Sequence, residues 1–284
     1  MDIDMELICP VCGRALCLFG NSFYCENKHC FDRAKSGYVN LLLANAKHSK
    51  IPGDNKLMVN ARTSFLDQGY YTPLADALCS EIKYIVQKNQ WKNCDLLDAG
   101  CGEGYYTNQL YQRIVDSGIS LNCIGIDISK FALDRASKRN RQILYSAASI
   151  FHLPIGTEQC DIVTNLFAPF CREEFLRVLR PNGYLVMVIP GEYHLWELKQ
   201  SIYKTPYPNE VKGYEIPGFN MCKAKNIDTE IELKTPQDIQ NLFMMTPYFY
   251  NTSKDESDKI KYFTSMETRI SFEILIYQKE NGHD

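Results

Sequence analysis

The sequence predicts an α/β protein: a doubly wound, mostly parallel sheet preceded by a small metal-held module. Three observations carry that expectation. From about Leu74 onward, short apolar runs alternate with segments of helical spacing, as strands and crossover helices do in such a sheet. Between Leu96 and Tyr105 the run L-L-D-A-G-C-G-E-G-Y sets an acidic residue and three closely spaced glycines between a strand and a helix. Five of the twelve cysteines fall in the first thirty residues.

Those cysteines have metal-ligand spacing, C-P-V-C-G at 9–13 and C-E-N-K-H-C at 25–30. A C-x2-C turn directs two thiolates to one point, and a second pair beyond a short hairpin completes a tetrahedron suited to zinc. Cys9, Cys12 and Cys25 are three ligands; the fourth is His29 or Cys30. His29 is preferred, because C-x3-H is a frequent closing pair and Cys30 then opens the strand C-F-D. Cys17 reads as a hairpin residue. So short a segment builds little core without metal, which then contributes its folding energy.

A basic stretch follows. Between Lys28 and Arg62 stand Lys28, Arg33, Lys35, Lys47, Lys50, Lys56 and Arg62 against Asp32 and Asp54, a local charge of about +5. Mixed with Tyr38, His48 and a Pro-Gly turn, these residues fit a phosphate-contacting surface with aromatics for unpaired bases. A solvated linker accounts for the charge alone. The spacing predicts a helix over 57–66, ended at Gly69, and another beginning after Pro73, with Tyr71 at the junction.

The expected sheet then unrolls in order. A helix over 74–88 precedes strand one, which ends at the glycine-rich turn; a helix from Tyr105 to about Asp116 follows. Strand two, L-N-C-I-G-I-D-I, ends near Asp127, and Ser129 caps the next helix. Strand three is expected over 142–147, strand four over 161–167, a helix over 173–179, and a fifth strand over 184–189 entered by a P-N-G turn. I-D-T-E-I-E-L, a helix over 236–244 and R-I-S-F-E-I-L-I-Y read as a closing antiparallel hairpin, for seven strands in all.

The turn itself selects a ligand. Gly100, Gly102 and Gly104 put no Cβ between backbone and ligand and allow positive φ, while the following helix aims unpaired N–H groups at the same spot. Asp127, at the end of strand two, can accept hydrogen bonds from both hydroxyls of a ribose. A dinucleotide fingerprint needs a glycine where Tyr105 stands. D-x-G-x-G-x-G instead resembles the cofactor loop of class I S-adenosylmethionine (SAM)-dependent methyltransferases, a Rossmann-like fold. In that family the loop holds the methionine part of the cofactor and the acid holds its ribose. Asp98 and Glu103 stand beside the cofactor on this reading, and neither is assigned as a catalytic base.

Composition narrows the setting. A formal charge of −3 excludes a globally basic protein, so any nucleic-acid surface is local. The acidic start M-D-I-D-M-E lacks a signal peptide, and the uneven cysteines suit a reducing cytosol, so a cytoplasmic protein is expected. No window approaches the apolar length of a membrane span.

Nearly the whole chain is similar to the bacterial 23S rRNA (guanine-N1)-methyltransferase family. The likeness rests on C-P-V-C with C-E-N-K-H, F-D-R-A-K-S-G-Y-V-N-L-L, P-G-D, F-L-D-Q-G-Y-Y-T-P-L, D-A-G-C-G-E-G-Y-Y-T and P-G-E-Y-H-L-W-E-L-K. It implies zinc on Cys9, Cys12, Cys25 and His29, SAM contacts from Tyr71, Gly102, Glu103 and His194, and a homodimer whose cleft takes a 23S rRNA hairpin. The expected organisation is a zinc-binding RNA-recognition domain over 1–36, a basic linker and helix over 37–75, and the methyltransferase domain over 76–284. A-P-F at 168–170 is expected to meet the target base, because in related enzymes that loop borders the transferred methyl group. The competing reading is a methyltransferase of another RNA or of a small molecule, with the zinc knuckle purely structural.

Overall fold

A computed structural model describes residues 5–43, 53–210 and 214–281. The N-terminal module is a three-stranded antiparallel sheet of very short strands, β1 (Cys17–Phe19), β2 (Ser22–Tyr24) and β3 (Cys30–Asp32). A fourth short strand, β4 (Val39–Asn40), leaves the module and joins the large sheet.

The large sheet takes the expected alternation. Helices α1 (Lys56–Asp67) and α2 (Thr72–Lys88) lead into β5 (Asn93–Ala99), α3 (Tyr105–Val115), β6 (Ser120–Asp127), α4 (Lys130–Arg139) and β7 (Leu144–Ala147). Then come β8 (Cys160–Leu166), α5 (Arg172–Val178), β9 (Leu179–Pro190), α6 (Trp196–Ile202), β10 (Phe219–Leu233), α7 (Pro236–Met244) and β11 (Met266–Lys279). Ser129 caps α4 as its sequence position implies, its Oγ accepting from the Ala132 N–H at 3.3 Å. Pro236 opens α7 behind a Thr235 cap.

The strand order is β10-β11-β9-β8-β5-β6-β7-β4, eight strands where seven were expected. β5 to β9 and β4 run parallel, and the long β10–β11 hairpin closes one end antiparallel. The additional strand is β4, whose Val39 and Asn40 pair with Ser146 and Ala147. The P-N-G segment also differs: it lies inside β9 at a register shift, with Asn182 at φ 62°, instead of forming a turn before the strand.

Alternation along the strands divides the core. Cys94 and Leu96 of β5 face α2, α3, α4, α6 and α7, whereas Leu97 and Ala99 face the other way. On that second face α5 covers only part, and the N-terminal module covers more: Met5, Leu7, Leu16 and Phe23 join Leu97, Ile124, Val163 and Phe175 in one apolar cluster. The module is therefore bolted to the sheet, through apolar contact and through backbone bonds such as Ile8 N–H to the Pro154 carbonyl at 2.9 Å. Among the described residues no helix is long and apolar enough to cross a membrane.

Candidate active site

Cys9, Cys12, Cys25 and His29 converge, with their ligand atoms all within 4.8 Å of one another. Cys12 and Cys25 sulfurs are 3.6 Å apart, and His29 Nδ1 lies 3.5 Å from the Cys9 sulfur and 3.3 Å from that of Cys25. A tetrahedron with Zn–S near 2.3 Å and Zn–N near 2.0 Å has edges of about 3.5–3.8 Å, so these four groups fit zinc. The separations are far too long for a disulfide, and all the cysteines are free. The choice between His29 and Cys30 falls to His29, since Cys30 is exposed and its thiol points to Asp32. The Arg14 backbone N–H first, and the His29, Cys9 and Cys25 side chains after it, lower the Cys12 thiol to about 6 against its partial burial, which favours the thiolate a metal needs.

The glycine turn sits at the carboxyl end of β5. Gly100, Gly102 and Gly104 all have positive φ, at 93°, 55° and 80°. They differ in what surrounds them. A Cβ on Gly100 would overlap the Ala168 side chain, and one on Gly104 would lie 2.8 Å from the Ala136 Cβ, so neither position has room for a side chain. A Cβ on Gly102 would meet only the Arg62 guanidinium, at 3.9 Å, so this glycine keeps a cradle open above the loop. Asp127 pins the cradle: one carboxylate oxygen accepts from Gly102 N–H at 2.9 Å and the other from Ser129 N–H at 2.7 Å. Its remaining lone pairs can still accept from ribose hydroxyls. Burial raises the Asp127 carboxyl against the pull of those two N–H groups.

Asp98 and Glu103 are sealed. Asp98 is 2% exposed; its carboxylate accepts from Thr107 Oγ1 at 2.5 Å and Thr164 Oγ1 at 2.9 Å, tying β5 to α3 and β8 beneath the loop. Burial pushes it up to about 6. Glu103, also 2% exposed, pairs with Arg139 at 2.5 Å and accepts from Tyr105 N–H at 3.2 Å, which leaves only its backbone to meet a ligand. Neither side chain reaches the open side.

Tyr71 and His194 meet, although 123 residues separate them. Tyr71 precedes α2 and is wedged between Phe65 and Phe272 at centroid distances of 5.1 and 5.0 Å. Ser271 N–H donates to His194 Nδ1 at 3.2 Å, so the neutral ring carries its proton on Nε2 and can donate to Tyr71 Oη at 3.4 Å. The phenolic proton is then free to point elsewhere. Burial first, and the Lys199 charge second, lower His194 to about 3.

The loop after β8 borders the same place. Asn165, buried, donates to the carbonyls of Ala99 at 3.0 Å and Pro169 at 3.1 Å. Phe167 takes φ 54°, uncommon for an aromatic, and its half-exposed ring lies 6.4 Å from Tyr106 and 5.5 Å from Phe272. Phe170 is partly exposed beside it.

The basic stretch divides. Lys28, Lys35 and Lys56 are exposed, while Arg33 donates to the Gly37 carbonyl at 2.9 Å. Lys47, His48 and Lys50 lie outside the described residues. Arg62 departs from the expectation of an RNA-facing charge: Asp54 and the Met245 carbonyl hold it, half-buried, over the glycine loop. The reason is its helical phase, one turn from Met58, Phe65 and Leu66 on the buried side of α1. That charge on an apolar face was the available signal. Asp54 was less legible, since it depends on Gly53 pressing against Ile128 and on Ser129 Oγ donating to the Asp54 carbonyl at 2.6 Å.

A glycine cradle pinned by a strand-end carboxylate on a doubly wound sheet, joined to a Cys3His ribbon, defines a zinc-ribbon SAM-dependent methyltransferase. Family comparison agrees: residues 7–50 match the model described as RlmA, N-terminal, and residues 90–243 that of a methyltransferase domain. The "Putative 23S rRNA (guanine-N(1)-)-methyltransferase YxjB" of Bacillus subtilis (strain 168) is 30% identical, covering 98% of this chain and 99% of that one. The 23S rRNA (guanine(748)-N(1))-methyltransferase of Streptomyces fradiae is 32% identical over 69% of this chain and 67% of its own. The chain belongs to the 23S rRNA (guanine-N1)-methyltransferase family. Its cofactors are accordingly SAM and zinc.

Proposed function

We propose that this chain methylates N1 of a guanine in a hairpin of 23S rRNA. The observation that carries the reading is the union, in one chain matching a family member end to end, of the open Gly102 cradle and the Cys3His ribbon. When bound, zinc supplies folding energy to the ribbon and SAM supplies an electrophilic methyl on sulfur.

The chain's residues then have distinct tasks. Asp127 accepts from the ribose hydroxyls, and Gly100, Gly102 and the Glu103 backbone carry the amino-acid end. Tyr71, held by His194, presents its phenolic proton to the cofactor, and Asp98 fixes the loop from beneath. Cys9, Cys12, Cys25 and His29 hold zinc. Guanine N1 lies on the Watson–Crick edge, so the nucleotide has to be unpaired or turned out of its stack. Phe167 and Phe170, exposed on either side of Ala168 and Pro169, offer faces for such a base and exclude water from the in-line displacement.

The domain division 1–36, 37–75 and 76–284, a homodimer clasping the hairpin, and action in the cytoplasm belong to the same proposal. Exposed Lys28 and Lys35 on the ribbon, and Lys56 at the start of α1, supply phosphate contacts. Mass mapping of rRNA nucleotides from cells with and without the protein tests the substrate. A 1-methylguanosine in 23S rRNA that disappears with the protein is expected; an unchanged methylation map would refute the proposal.

A further inference from the structure

Arg62 is the cation placed to meet the charged end of the cofactor. Its guanidinium stands 3.9 Å from the point where a Gly102 Cβ would sit, the nearest group to that open side of the loop. Its charge reaches Glu103, Tyr106 and Asp127, all around the cradle. Two contacts fix it: Nη1 pairs with Asp54, and Nη2 donates to the Met245 carbonyl at 3.2 Å. A guanidinium has five N–H donors, so Nε–H and one proton on each terminal nitrogen remain for a ligand. The other arginine beside the loop, Arg139, is committed to Glu103 at 2.5 Å and Asp67 at 2.8 Å.

The ligand's own chemistry supplies the partner. With its ribose on Asp127, an adenosyl-amino-acid cofactor extends its amino-acid end along the loop that Asp127 pins at Gly102. That end carries a carboxylate, and a carboxylate leaving water requires a charge-assisted partner. A planar guanidinium matches it in two parallel hydrogen bonds, which a lysine cannot do. We infer that Arg62 binds the carboxylate of the cofactor's amino-acid end, and that Asp54 positions Arg62 for it. The Gly53–Asp54 segment is then part of the cofactor site: a Cβ on Gly53, at φ 74°, would lie 2.8 Å from Ile128, and this close approach delivers Asp54 to Arg62.

The inference rests on the proposed cofactor reading, and two ligands separate their fates. S-adenosylhomocysteine keeps the amino-acid end, whereas 5′-methylthioadenosine keeps adenosine and sulfur and lacks it. Calorimetry on the full chain should find that Arg62→Met weakens S-adenosylhomocysteine at least tenfold, the lower end for a hydrogen bond to a charged group. It should leave methylthioadenosine within twofold. Arg62→Lys, which keeps the charge and α1 packing, should lie between. Equal losses on both ligands would mean that Arg62 only supports the fold, and unchanged S-adenosylhomocysteine affinity would return it to an RNA-facing role; either overturns the inference. A parent protein that binds neither nucleoside overturns the cofactor reading itself, and this inference with it.

Discussion

The ribbon and the large sheet achieve order by opposite means. The sheet buries long apolar runs on both faces, so Leu96, Leu97, Ile124, Ile126, Val163 and Leu185 have essentially no exposed surface. The ribbon has strands of three residues, β1 wholly exposed, and its centre is a cluster of four side chains that fit a metal. What the ribbon does bury, it buries against the sheet. One region specifies itself by pattern, and the other depends on a metal and on a surface lent by its neighbour.

The difference can be broken from either side. Cys12→Ala should release zinc, unfold the ribbon and abolish RNA methylation, because structural zinc contributes about 10–16 kcal/mol to such modules. Affinity for S-adenosylhomocysteine should stay within a few-fold, and metal analysis should fall from one zinc per chain to none. Gly100→Ala is the mirror experiment. Its side chain would overlap Ala168 at a φ of 93°, so cofactor binding should be lost while zinc stays at one per chain. Loss of both properties in either variant would show that the two regions do not order independently.

Smaller effects sharpen the cofactor side. Asp127→Ala should weaken SAM binding by ~1.5–3 kcal/mol, less than a loop collapse, and an unchanged dissociation constant would remove Asp127 from the site. His194 should stay neutral across the physiological range, since its folded value of about 3 lies below the ordinary 6.5. The stability of keeping the ring neutral is therefore complete above pH 6.5 and is lost as pH falls from 6.5 toward 3. An NMR titration placing its midpoint near 6.5 in the folded protein would contradict the burial argument. The smallest change in cofactor affinity is expected from replacing Lys35, Lys47 and Lys50 together by Glu, which should flatten the salt dependence of RNA binding and leave the cofactor site untouched. Parallel salt slopes would mean that another surface contacts the RNA.

What was legible in the sequence follows the same division. Strands, helices and the Ser129 cap were readable because burial imposes period and turn residues mark the ends. The ribbon's ligands were readable because metal geometry imposes spacing, down to His29 over Cys30. β4 was not, since a two-residue strand pairs through its backbone and leaves no side-chain period. Asp98 read as a ligand-facing acid because it ends an apolar run beside glycines; only the fold shows Thr107 and Thr164 closing over it. Arg62 was counted among surface charges because charge counting ignores helical phase. The pairing of Tyr71 with His194 depends on two distant segments meeting, which no local pattern encodes.

On the proposed function, the cofactor cradle of the sheet and the zinc ribbon serve one reaction on one nucleotide. That function is tested most directly by incubating the purified protein with unmodified 23S rRNA and methyl-labelled SAM, then digesting the RNA to nucleosides. Label is expected in 1-methylguanosine, and is expected to be absent with Cys12→Ala although that variant still binds the cofactor. Label in a different nucleoside, or full transfer by the variant without zinc, would contradict the proposed function.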